Sequence, residues 1–95
     1  MLLPTKKVSA GTSEKGDVII EIEPDPEKRG VSVNLKQLKI SLFDKRIEEV
    51  LLQHCKTLGI SDIIIHISDF GALDFTLRAR LEAAIIKGKE ADLIG

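Results

Sequence analysis

The chain has 95 residues, 43% of them hydrophobic and 31% charged, with a formal net charge of −1. This is one domain's worth of ordinary globular composition, with enough apolar residues for a modest core and too little bias for disorder. Balanced charge, no Trp or Tyr and only three Phe argue against nucleic acid and against an anionic membrane surface as partners.

The single cysteine, Cys55, has no internal partner for a disulfide, which fits a reducing compartment. Residues 1–7 contain no long apolar region of the kind a signal peptide needs. No apolar run reaches the ~18 residues that would span a bilayer. A cytoplasmic location is expected, in one domain over residues 1–95 with fraying at 1–5 and 89–95.

In chain order, Lys6 to Ala10 is a weak strand, with Val8 its best inward residue. Ala10-Gly11-Thr12-Ser13-Glu14-Lys15-Gly16 is a small, polar, glycine-punctuated turn. Ser13 suits the first position of a type I turn and Gly16 the last, so a solvent-exposed hairpin tip is predicted. From Asp17 to Glu23, Val18, Ile20 and Ile22 alternate with Ile19, Glu21 and Glu23, the pattern of a half-buried strand. Residues 24–30, with Pro24, Pro26 and Gly30 among charges, break it into a surface loop. Val31, Val33 and Leu35 mark a third strand. The apolar phase shifts to Leu38 and Ile40, which predicts a bulge or strand end near Lys36-Gln37.

Ser41 and Asp44 resemble a capping box opening a helix. Phe43, Ile47, Val50, Leu51, His54, Cys55 and Leu58 then recur at helical spacing, and Gly59 closes the helix as its C′ glycine. Ile63-Ile64-Ile65-His66-Ile67 is apolar on both sides and so reads as a central strand. After a turn at 68–71, a second helix is expected from about Ala72, with Leu73, Leu77, Leu81, Ala84 and Ile85 inward and Gly88 weakening its end. The order β-β-β-α-β-α predicts an α+β fold: a two-layer sandwich with two helices on one face of a mostly antiparallel sheet.

Candidate chemistry is sparse. His54, beside Cys55, and His66, in the central strand, lack the convergent ligands or orienting group that a metal site or a nucleophile pair requires. No metal site and no catalytic constellation is expected. Asp69 and Asp74 read as anions near a helix start, where the dipole favours them. Arg78 and Arg80, two apart on a helix, point to different faces, so that one snorkels or pairs while the other reaches a partner. Gly11 and Gly16 do not form a phosphate loop, because a strand and not a helix follows them.

Two segments say more. Residues 10–20, Ala-Gly-Thr-Ser-Glu-Lys-Gly-Asp-Val-Ile-Ile, resemble the N-terminal signature of the citrate lyase acyl carrier protein (gamma chain) family. Residues 69–83, which include Gly71-Ala72-Leu73-Asp74 and Leu77-Arg78-Ala79-Arg80-Leu81-Glu82, resemble that family's second block. The stretch from Ile65 to Ala72 is also similar to the acyl carrier subunit of malonate decarboxylase. The resemblance covers about residues 8 to 86.

What the resemblance implies is a non-catalytic carrier subunit. A serine in the hairpin tip would be joined by a phosphodiester to a phosphopantetheine-like arm derived from 2'-(5''-triphosphoribosyl)-3'-dephospho-CoA. The arm's thiol would carry acetyl and citryl groups between citrate-lyase-like alpha and beta subunits, after loading by a prosthetic-group transferase. The family's attachment serine immediately precedes a Gly-Asp or Ser-Asp pair, and here that position is Lys15, followed by Gly16. Ser13, two residues earlier, stands where the family usually has an apolar residue. Three implications stay open: Ser13 has become the attachment point; Lys15 contacts a coenzyme held by another subunit; or the chain is a degenerate interaction module that docks through Arg78 and Arg80 without an arm.

Overall fold

The computed structural model describes residues 7–36 and 42–94, with side chains over 7–36 and 45–90. The elements are β1 (Val8–Gly11), β2 (Val18–Pro24), β3 (Val31–Leu35), α1 (Leu42–Leu58), β4 (Ile63–Asp69) and α2 (Asp74–Ile94), in the predicted order. They form an α+β sandwich with a mostly antiparallel four-stranded sheet, ordered β1-β2-β4-β3.

Alternation sets which side of the sheet is covered. Val18, Ile20 and Ile22 of β2 are buried, as are Ile63, Ile65 and Ile67 of β4. The antiparallel register sets Ile20 against Ile67 and Ile22 against Ile65, so one continuous apolar face forms across the two central strands. Ile47, Leu51 and Cys55 of α1 complete the core with Leu77, Leu81, Ala84 and Ile85 of α2. α2 lies across β1 and β2, while α1 packs on α2 and β3. The other sheet face carries Glu21, Glu23, Asn34 and His66. β4 is central as predicted, antiparallel to β2 and parallel to β3.

α1 ends as its glycine predicts. Gly59 has φ +70°, its N–H donates to the Lys56 carbonyl at 3.2 Å, and the Ile60 N–H donates to the Cys55 carbonyl at 2.9 Å. These are the paired bonds of a Schellman motif.

Several expectations shift. β1 runs from Val8 to Gly11, and its most buried side chain is Ala10, with Val8 half-buried. α2 begins at Asp74, two residues later than expected. Asp69 Oδ1 accepts the Gly71 and Ala72 N–H groups, which holds the chain in a turn through Ala72. Leu73 only caps the helix through its carbonyl, so its side chain is 62% exposed and not inward. α2 also continues through Gly88, which is buried, to Ile94; a single helical glycine, costing about 1 kcal/mol relative to Ala, does not end it. The expected bulge at Lys36-Gln37, the Ser41 cap and the Phe43 side chain lie outside the described residues.

Candidate functional site: the β1–β2 hairpin tip

Thr12 to Asp17 link β1 to β2. Gly11, at φ +109°, opens the loop where a Cβ would run into the Val18 carbonyl, so only glycine lets the two strands close this tightly. The Asp17 N–H donates to the Glu14 carbonyl at 3.0 Å, defining a turn over Glu14–Asp17 with Gly16 third, at φ +88°. A positive φ at that position is the mark of a type II turn. The predicted type I turn beginning at Ser13 is therefore displaced by one residue. Lys15 occupies the second position and is exposed, as are Ser13 and Gly16.

Asp17 is what fixes this turn. Its buried carboxylate accepts the Thr12 N–H at 3.1 Å, the Thr12 hydroxyl at 2.6 Å and its neighbour Val18 N–H at 2.8 Å. From α2, Arg80 donates through Nε at 2.9 Å to Oδ1 and through Nη2 at 2.7 Å to Oδ2. This two-pronged pairing is the strongest way to hold a carboxylate with a guanidinium. The Arg80 bond, helped by those from Thr12 and Val18, holds the Asp17 carboxyl well below the usual carboxylate range.

The turn is also tied to the loop that opens α2. The Gly16 N–H donates to the Phe70 carbonyl at 2.6 Å, and the Phe70 N–H to the Asp17 carbonyl at 2.9 Å. Gly71, at φ +95°, comes so close that a Cβ on it would lie 3.8 Å from the Gly16 nitrogen. The two segments singled out in the sequence thus meet at one end of the molecule. Along the β4–α2 loop and into the first turn of α2, Phe70, Leu73 and Phe75 are 38%, 62% and 64% exposed, which the helical pattern did not reveal.

The other singled-out residues disperse. Arg80 turns inward to Asp17, whereas Arg78 is exposed and faces α1 across a shallow groove with Glu49, Gln53 and His54. Asp74 sits in the first turn of α2 and pairs with Arg46 at 2.8 Å. Asp69 bonds turn amides ahead of the helix and lies outside its first turn. His54 lies 2.7 Å from Glu82, linking the helices. His66 lies 2.8 Å from Glu23 on the open sheet face. Cys55 is buried, which pushes its thiol up to about 11 and leaves it unreactive.

Chemically the tip offers a serine hydroxyl and a primary amine on a firmly based turn, and no acid–base pair converges there among the described residues. The Ser13 hydroxyl is a competent acceptor for a phosphodiester; the Lys15 amine is not. Residues 5–87 match the family model described as malonate decarboxylase delta subunit (MdcD). The chain is 33% identical over 85 residues to the citrate lyase acyl carrier protein of Clostridium perfringens, covering 90% of this chain and 83% of that one. It is 36% identical over 85 residues to citrate lyase acyl carrier protein 2 of Salmonella paratyphi A, covering 90% and 87%. Identity to the Fusobacterium nucleatum citrate lyase acyl carrier protein is 34% over 92 residues, covering 97% and 96%.

Proposed function

This chain belongs to the family of citrate lyase and malonate decarboxylase acyl carrier proteins, and on that premise we propose that it is the carrier subunit of a citrate-lyase-type complex. It would present acetyl and citryl thioesters to lyase-like alpha and beta subunits in the cytoplasm, performing no chemistry itself. The observation that carries the reading is the convergence of the two family-like segments on one exposed turn, clamped at its base by Asp17 and Arg80.

The phosphoribosyl-dephospho-CoA arm, when bound, supplies a thiol on a long tether and so raises the local concentration of acyl group at each partner. This chain's own part is to hold and display. Ser13 is the residue that would hold the arm, through its hydroxyl. The Glu14–Asp17 turn keeps that hydroxyl at the surface, and the Asp17–Arg80 pair stops the turn from folding back. Lys15 sets an ammonium two residues from the attachment oxygen. With Arg80 engaged by Asp17, Arg78 remains as the arginine for docking the partner subunits.

Lys15 favours one rival, an interaction module of the same fold that carries no arm. Intact-mass measurement of the protein purified from its own cells separates the two. The expected result is a coenzyme-sized adduct mapping to residues 12–16 and absent from the Ser13→Ala variant. An unmodified chain from cells that contain the modifying transferase would overturn the carrier reading and leave the module.

A further inference from the structure

We propose that Glu21, Glu23 and His66 form a site for a divalent transition metal, Zn2+ by the character of its ligands, on the sheet face opposite the helices. It is independent of the hairpin tip and of the carrier function. The ligands are remote in sequence but adjacent in the sheet. Glu21 on β2 is the direct cross-strand partner of His66 on β4, and Glu23 lies two residues along the same face of β2. One ligand atom from each falls within 4.8 Å of the others, and all three residues are half-buried. One imidazole and two carboxylates, with water completing a tetrahedron, are ligands that Zn2+ accepts.

Two further features point to a cation. The Lys7 ammonium already reaches into the carboxylate pair, 3.3 Å from Glu21 and 3.9 Å from Glu23. It is a positive group held where an ion would be held, on a side chain exposed enough to swing away. Behind the imidazole, Asn34 Nδ2 lies 3.2 Å from His66 Nδ1; with this amide turned over, Oδ1 stands where the outer partner of a metal-bound histidine accepts the ring N–H.

Binding calls for three local changes: a tautomer shift in His66, a turn of the Asn34 amide and the departure of Lys7. In the Nε2–H tautomer, Asn34 Nδ2–H donates to His66 Nδ1, and Nε2–H donates to Glu23 across 2.8 Å. With metal, the ring proton resides on Nδ1 and is accepted by Asn34 Oδ1 after the amide turns over. The Nε2 lone pair then bonds the ion. The Lys7 ammonium is displaced to solvent.

Calorimetric titration of the full chain with ZnCl2, with Co2+ absorption as a second readout, tests this. The expected result is one Zn2+ per chain, with binding lost in His66→Ala and in Glu21→Gln, the latter a near-isosteric change on the open face. Asn34→Ala should weaken affinity by about tenfold or more, the usual effect of removing a second-sphere partner. Lys7→Ala should tighten it, because a competing cation is gone. His54→Ala, on the opposite layer, should bind as the unaltered protein does. The proposal is overturned if no one-to-one binding occurs, or if binding persists unchanged in both His66→Ala and Glu21→Gln.

Discussion

At the scale of single residues, the tip depends on Asp17 more than on either side chain displayed there. Five donors converge on its carboxylate, and they favour its charged form. The folded state therefore holds this group's pKa below the unfolded value near 3.8. Its contribution to stability is complete above that value and is lost as pH falls through the folded value. Asp17→Asn keeps the shape of the side chain, removes the charge and sets an amide against Arg80. It should lower the melting temperature at neutral pH and flatten the acid limb of the stability profile. Thermal melts across the acid range, compared for the two proteins, check this; parallel acid limbs would show that the carboxylate is not what titrates. None of this was evident from residue order. Asp17 reads as the polar start of a strand, and Arg80, its partner, lies 63 positions away. A sequence shows which residues are charged but not which of two arginines on one helix turns inward.

At the scale of elements, legibility followed periodicity. The alternation at Val18, Ile20 and Ile22, and the run from Ile63 to Ile67, sufficed for β2 and β4. The spacing of Ile47, Leu51 and Cys55, closed by Gly59, sufficed for α1. Where a local hydrogen bond outweighs pattern, periodicity misleads: Asp69 delays α2, so Leu73 falls outside the apolar stripe its spacing suggests. β1 is short and packs between β2 and α2, and Lys87 Nζ of α2 donates to the Ser9 carbonyl. The burial of Cys55 yields a test of α1 docking. With the thiol pushed up to about 11 and enclosed by core, iodoacetamide should label the native protein only through opening of α1. Leu51, fully buried one turn before it, tunes that opening. Leu51→Ala should destabilise the fold by about 2–5 kcal/mol and accelerate labelling. Rapid labelling of the unaltered protein under native conditions would contradict this packing.

For the whole molecule, the sheet order explains how the two family-like segments come to meet at one end. β2 and β4 pair antiparallel at the centre, so the start of β2 and the end of β4 emerge side by side. The β1–β2 turn and the β4–α2 loop then have no choice but to touch. This contact unites Gly16 with Phe70 and leaves Ser13 and Lys15 outermost. Pairing order is not contained in any one segment's pattern, so the meeting of residues 10–20 with residues 69–83 is not legible in either segment alone. The same geometry divides the labour of the two arginines. Arg80 belongs to the base of the tip, whereas Arg78 makes no ion pair among the described residues and is exposed on the helix layer. Charge reversal should therefore separate folding from assembly. Arg80→Glu sets two carboxylates together and should lower the melting temperature and loosen the Gly16 amide in hydrogen exchange. Arg78→Glu should leave both unchanged and reduce co-purification with the partner subunits from cells that make them, since an exposed interfacial charge acts on association and not on the fold. If Arg78→Glu assembles normally while remaining folded, docking lies elsewhere on the surface, and the exposed side chains of Phe70, Leu73 and Phe75 are the next to vary.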